Sequence, residues 1–304
     1  MVIGLDWLQW AVIACLLTLP IIYELNNTFK YFTKFILYYT LVMLVGAAVS
    51  IYSLFRPGRP ENTEFASWLI NHARCLFGLS IEVRGKENLK YDDAYIIVCN
   101  HQSSLDLFAM MEIWPERCVP FAKKELLYAG PLGMALYLVG TIFIDRGNKD
   151  KAVEAVRKTS EQIKNNKVKV FIFPEGTRNH EGAMLPFKKG AFHLAINAQV
   201  MFHLAIDTQV MFHLAIDAQV TFHLAINAQV PIVPVVISSY SDFYSKKEKK
   251  FSTGKFIVTC LPKVSTQDLT EDDVPKLSDF IRKQMLDIFN QTSLETTQSK
   301  LASH

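Results

Sequence analysis

Two long uncharged apolar runs stand near the N-terminus, Trp7 to Tyr23 and Phe35 to Phe55. In hydrocarbon every backbone N–H and C=O must be satisfied within its own segment, so runs of this length are read as helices. Asp6 and Glu24 bound the first run, and Trp7, Trp10, Tyr23, Tyr38, Tyr39 and Tyr52 lie toward the ends of the two, where interfacial aromatics belong. A cleaved signal peptide would need a basic leading segment, which the chain lacks, and a second apolar run follows closely. Residues 1–60 are therefore expected to form a two-helix membrane anchor. Arg56, Arg59, Arg74 and Arg84 follow the second run and argue for a cytosolic face, whereas Lys30 and Lys34 in the opposite loop count against it.

The breaker cluster Arg56-Pro-Gly-Arg-Pro60 marks the expected boundary of this anchor. Beyond it, Ala94 to Cys99, Val168 to Phe173 and Ile232 to Ile237 read as buried strands. Asp150 to Lys164 carries Val153, Val156 and Ile163 on one helical stripe. Leu126 to Ile144 is uncharged throughout. Gly130-Pro131 and Gly133 break its start and its end is β-branched, so it reads as a buried helix plus strand and not a third span. Strands alternating with helices predict an α/β domain over 61–290, a mixed sheet flanked by helices. Residues 291–304 read as a polar, frayed tail. Net charge is +3 with dispersed basic residues, which excludes a nucleic-acid binder and suits a protein near anionic lipid or phosphate. The five scattered cysteines form no C-x-x-C and point to a reducing compartment.

Residues 191–230 are four near-copies of a ten-residue unit, AFHLAINAQV, MFHLAIDTQV, MFHLAIDAQV and TFHLAINAQV. Phe192, Leu194, Ile196, Ala198 and Val200 alternate as in a strand, while Phe192, Ile196 and Val200 also follow a helical row, so both readings stay open. The copies place histidines at 193, 203, 213 and 223. Ten helical residues turn the side chain through about 1000°, and ten strand residues separate it by roughly 33 Å. Neither geometry gathers metal ligands, and the block reads as a tandem duplication.

Two loops carry chemistry. Asn100-His-Gln-Ser-Ser-Leu-Asp106 directly follows a predicted strand. On one ideal helix His101 and Asp106 would point about 140° apart. With a helix beginning at Ser103 or Ser104, His101 lies ahead of it and Asp106 can turn back to the ring. A carboxylate on one ring nitrogen fixes the tautomer and supports charge as the other nitrogen takes a proton. That is a base and its orienting partner, without a protein nucleophile. Phe171-Ile-Phe-Pro-Glu-Gly-Thr-Arg178 follows a second strand. Pro174 ends the ladder, Gly176 permits a tight turn, Gly176 and Thr177 offer donors, and Arg178 is a natural phosphate ligand. Arg146 at another strand end would add a second cation, and Lys123, Lys124, Lys188 and Lys189 are further candidates. Val230-Pro-Ile-Val-Pro234 would wall an acyl channel or form a sheet edge. The chain has no G-x-S-x-G elbow, which argues against a serine hydrolase.

Taken in order, NHQSSLD, GTIFIDR, FPEGTR and VPIVP resemble the four signature blocks of the glycerolipid acyltransferases, the family with the H-x4-D motif. EVRG, AKKELLYAGPLG, FPEGTRNHEGAMLPFKKGAFHLA and SSYSDFY are similar to animal 1-acylglycerol-3-phosphate acyltransferases. The resemblance spans about Phe65 to Phe289. It implies an α/β acyltransferase domain in the endoplasmic reticulum membrane that transfers an acyl chain from acyl-CoA to the sn-2 hydroxyl of lysophosphatidic acid. It implies His101 as general base with Asp106 as partner, and acceptor binding by Glu175, Gly176, Thr177 and Arg178 with help from Arg146. Acyl-CoA, lysophosphatidic acid and membrane lipids would be the partners, with acyl-CoA a co-substrate and neither cofactor nor metal required. Relatives read as carrying one copy of the repeated unit, so the extra copies put the geometry of Pro231 to Pro234 in question.

Overall fold

The computed structural model describes residues 6–144, 159–161, 163, 165–187 and 221–302. Helix α1 (Trp7–Leu25) opens on a capping box, with the Asp6 carboxylate accepting from the backbone at Trp7 and the Gln9 side chain accepting from the backbone of Asp6. Asn26 separates it from α2 (Asn27–Ser53) and caps α2 by accepting from the Phe29 N–H. Both helices are long and apolar enough to cross a membrane. They differ in burial. No residue of α1 is buried, whereas Tyr31, Lys34, Tyr38, Val42, Gly46 and Val49 of α2 are. Gly46 is required there, since a Cβ would sit 2.9 Å from the backbone nitrogen of Leu132 in the facing helix α5 (Gly130–Leu138). The break at Arg56–Pro60 is thus a turn from α2 into α3 (Asn62–Ala73), and Tyr31, Tyr38 and Val42 share a core with the sheet.

The sheet contains β1 (Leu79–Arg84), β2 (Ile96–Cys99), β3 (Cys118–Lys123), β4 (Ile142–Ile144), β5 (Lys169–Ile172), β6 (Ile232–Ile237) and β9 (Gly254–Cys260), in the order β1-β9-β6-β2-β5-β3-β4. Every pairing is parallel except β6 with β9, so the sheet is mixed. Two short strands, β7 (Tyr244–Ser245) and β8 (Lys250–Phe251), form a separate antiparallel hairpin. In β2, Ile96 and Val98 face one core while Ile97 and Cys99 face the other. In β6, Ile232 and Val236 join the first core, and Val233, Val235 and Ile237 the second. Side chains alternate across a strand, and with both faces covered the central strands become continuous apolar runs. Helix α4 (Asp106–Ile113) contributes Phe108 and Ala109 to the second core. Leu277, Ile281 and Met285 of the C-terminal helix Val274–Ala302 close the first.

Four expectations change. The polar tail is helical to Ala302, held by the Arg84–Glu295 ion pair and by bonds from Thr297 and Lys300 to Asp242. Polar residues ended the apolar pattern without ending the docking. β6 is internal, between β2 and β9, so VPIVP is not a sheet edge. No side chain caps α4, which begins at Asp106 with Leu105 as its N-cap and not at Ser103 or Ser104. Leu126–Ile144 does form α5 and β4, but Met134 and Tyr137 of α5 are exposed. Of the repeat, the fourth copy is helical over 221–228 and buries Phe222, Leu224, Ala225 and Ile226 in the first core. The first three copies and most of Asp150 to Lys164 lie outside the described residues.

Candidate active site

Strands β2, β5 and β6 run parallel, so their C-terminal ends meet at one edge of the sheet. Sites in α/β folds form at that edge because the chain leaves each strand there as a loop. The segments Asn100–Asp106, Phe173–Arg178 and Ser238–Tyr240 emerge side by side. Lys123 ends β3 at the same edge and Lys124 follows it, both exposed. Arg146, Lys188 and Lys189 lie outside the described residues.

Asn100 joins the first and third loops. Its buried amide donates to the Ile237 carbonyl at 2.9 Å and accepts from the Ile237 N–H at 2.8 Å. Gln102 adds bonds from its amide to the carbonyls of Ile237 and Ser238 and accepts from the Tyr240 N–H. Glu175 ties the first loop to the second. One oxygen accepts from the His101 N–H at 2.9 Å and the other from the Leu185 N–H at 3.0 Å. The Asn179 N–H donates to the His101 carbonyl at 2.9 Å. His101 is thereby held by both of its own peptide groups.

The ring is held as well. Nδ1 of His101 lies 2.7 Å from Oδ2 of Asp106, and the imidazole stacks on Phe173 with centroids 3.9 Å apart. Oδ2 of Asp106 also accepts from the Gln102 and Ser103 N–H groups. A carboxylate accepts, so Nδ1 carries the proton and Nε2 offers its lone pair outward. Asp106 is 1 % exposed. Its other oxygen and the hydroxyl of Tyr240 are both buried, and burial together with the charge of Asp106 raises the Tyr240 pKa. An imidazole held in this way has the geometry a general base requires, with Nδ1 engaged by a carboxylate and Nε2 on the opposite side of the ring.

Gly176 has φ of +66° and its N–H closes a turn on the Phe173 carbonyl at 3.2 Å, the tight turn its residue type predicts. Thr177 is partly exposed and Arg178 exposed beyond that turn. Glu175 is different. It is 1 % exposed and both its oxygens accept from backbone N–H groups, where the resemblance implied acceptor binding. Burial outweighs those two bonds and pushes its pKa up to about 8.

Arg178 lines a cleft of about 560 Å³ that also takes in Tyr31, Phe35, Tyr39, Ser104, His180 and Lys246. One wall is α2 and another is the His101–Asp106 loop, fastened by the Tyr38 hydroxyl donating to the Ser104 carbonyl. Asn100, Gln102, Phe173, His180 and Lys246 went unassigned at the sequence level. For the first four the signal was proximity to the motif His101 or Arg178. Lys246 carried none, being one of a run of lysines. His223 of the fourth repeat has Nδ1 3.8 Å from Glu271 and lies in the helix at 221–228.

Residues 80–206 match the Acyltransferase family. The chain is 42 % identical over 271 residues to 1-acyl-sn-glycerol-3-phosphate acyltransferase alpha of Mus musculus, covering 89 % of this chain and 85 % of that one. It is 37 % identical over 235 residues to the 1-acyl-sn-glycerol-3-phosphate acyltransferase of Saccharomyces cerevisiae, covering 74 % and 67 %. The fold is similar to that of the 1-acyl-sn-glycerophosphate (LPA) acyltransferase PlsC from Thermotoga maritima, with a TM-score of 0.61 at 21 % identity, covering 89 % and 96 % of the two chains. A strand-end histidine held by a carboxylate, ordered signature blocks and relatives matched over most of their length agree: the chain belongs to the 1-acyl-sn-glycerol-3-phosphate acyltransferase family, and it is an acyltransferase.

Proposed function

We propose that this enzyme transfers a fatty acyl group from acyl-CoA to the sn-2 hydroxyl of 1-acylglycerol-3-phosphate, giving phosphatidic acid and free CoA. The observation that carries the proposal is the oriented His101 beside a cleft that joins Arg178 to the apolar face of α2. Such a cleft suits an acceptor with a phosphate at one end and an acyl chain at the other. Nε2 of His101 takes the proton as the hydroxyl oxygen forms its bond to the thioester carbonyl. Asp106 stabilises the imidazolium. The tetrahedral intermediate then collapses, the C–S bond breaks, and the CoA thiolate takes the proton back from the ring. A thioester is already activated, so the reaction calls for alignment and a base and for no cofactor. Glu175 and Asn179 act on this chemistry by holding His101 in place.

The exposed apolar surface of α1 and α2 fits residence in a membrane, and a reducing compartment fits free cysteines, which together favour the endoplasmic reticulum with the site facing the cytosol. Arg74 pairs with Glu112, and Arg84 with Glu82 and Glu295, so Arg56 and Arg59 carry the charge argument for that orientation. The test is an acyl-CoA assay on purified membranes with lysophosphatidic acid, glycerol-3-phosphate and lysophosphatidylcholine as acceptors. Preferred turnover of lysophosphatidic acid supports the proposal, and preferred turnover of either other acceptor overturns it.

A further inference from the structure

The hairpin β7–β8 is docked on α2 through its aromatic residues. Tyr244 stacks on Tyr31 with centroids 6.4 Å apart and packs on Phe35 at 5.9 Å, and Phe251 packs on Phe35 at 5.5 Å. Lys249 lies 5.6 Å over the ring of Phe32. Lys246 follows directly on β7, so its backbone is fixed where the hairpin leaves the helix. Its side chain lines the same cleft as Arg178 and His180. Among the described residues no carboxylate pairs with Lys246 or with Arg178. Both cations act on the same ring: burial and the charges of Lys246 and Arg178 lower the pKa of His180. Among the described residues, the buried Nδ1 of that ring has no hydrogen-bond partner. Two cations from separate loops, neither paired with a described carboxylate, therefore line one cleft with the His180 ring and Ser104 of the His101–Asp106 loop.

We propose that Lys246 is a second, specificity-determining cation for the acceptor, closing on the phosphate from the hairpin side while Arg178 holds it from the strand-loop side. The inference rests on the acceptor reading given above. A phosphomonoester carries close to two negative charges at neutral pH, so one guanidinium leaves it half compensated. The planar fork of Arg178 can bind two oxygens, and an ammonium supplies a point charge toward the remaining one. A phosphodiester headgroup has one charge and no third terminal oxygen, so Lys246 favours a monoester acceptor over a diester. Acyl-CoA also carries phosphate, but the aromatic and aliphatic wall from α2 suits a lipid acceptor held at the membrane surface.

The test compares Lys246→Ala, Lys246→Arg and Lys246→Glu with the neighbouring Lys247→Ala in the full-length enzyme. Acceptor and acyl-CoA KM are measured separately, with lysophosphatidic acid and a lysophosphodiester as acceptors. The expected result is an acceptor KM raised about fivefold in Lys246→Ala and further in Lys246→Glu, with acyl-CoA KM unchanged. Lys246→Arg should restore most of the loss, and preference for monoester over diester should narrow in Lys246→Ala. An acceptor KM in Lys246→Ala equal to that in Lys247→Ala overturns the inference, as does a rise confined to acyl-CoA KM. Arg178→Ala separates the two levels. If it raises acceptor KM while Lys246→Ala does not, the inference alone fails. If neither moves it, the acceptor reading of the cleft fails too.

Discussion

The base-bearing loop and the cationic cleft beside it are built on opposite principles. Around His101 nearly every polar group is committed: Asp106 accepts three bonds, Glu175 two, and Asn100 bridges to Ile237 in both directions. In the cleft, Arg178 and Lys246 are exposed and carry no ion pair with any described residue. The contrast fits the proposed tasks. A base must hold one ring nitrogen on one line, which needs buried, saturated bonding. A phosphate holder must keep its charge uncompensated until the ligand arrives.

The sharpest way to break the comparison is at the ring. His101→Ala should lower kcat by at least about a hundredfold while the protein stays in the membrane fraction. Asp106→Asn should lose a comparable factor, because an amide can present its N–H to Nδ1 and support the other tautomer. Near-normal turnover by Asp106→Asn would make the carboxylate a loop fastener only. On the cleft side, Arg178→Ala should raise acceptor KM about tenfold with acyl-CoA KM little changed, and Arg178→Lys should recover only part of it. A change confined to acyl-CoA would move Arg178 to the donor.

Asn100→Ala tests whether the committed side is a unit. It strands the Ile237 N–H while the carbonyl keeps its bond from Gln102, so it should cost about 1–3 kcal/mol in stability, read as a lower Tm in detergent. The pH dependence of Glu175 is a finer probe. Its folded pKa of about 8 lies above the ordinary 4.5, so the folded protein keeps a proton that the unfolded chain releases. Its contribution to stability is full below about 4.5 and is lost as pH rises through about 8. Glu175→Gln should flatten the fall in Tm between pH 5 and 8, and an unchanged slope would remove Glu175 as its source. Smallest of all, deleting residues 191–220 should preserve or raise activity. The fourth copy supplies Phe222, Leu224 and Ile226 to the core, and none of the described site residues lies in the deleted segment. A well-folded but inactive deletion would give the earlier copies a function.

Local sequence determined much of this. The apolar runs of β2, β5 and β6 could be satisfied only by strands buried on both faces, and their boundaries agree with the reading to within two residues. His101 and Asp106 are close in the chain, so a short loop leading into α4 is enough to pair them, although the helix begins at Asp106 and not between them. Gly176 makes a tight turn and Arg178 follows it, so the turn and the exposure of Arg178 were legible as well. What only the tertiary structure decided is long-range. Nothing in a strongly apolar α2 said that one stripe of it, Lys34 included, would be buried against the domain, because a lipid-facing and a protein-facing stripe have similar composition. The burial of Glu175 depended on Leu185 and on His101, which is 74 residues away in the chain. Nor could any local pattern place Lys246 beside Arg178. A lysine in a charged run has the same signature whether it faces water or a ligand, and only the docking of β7–β8 on α2 sets it at the cleft. Local periodicity fixes which residues turn inward, while the meeting of distant loops depends on packing, which leaves no local trace.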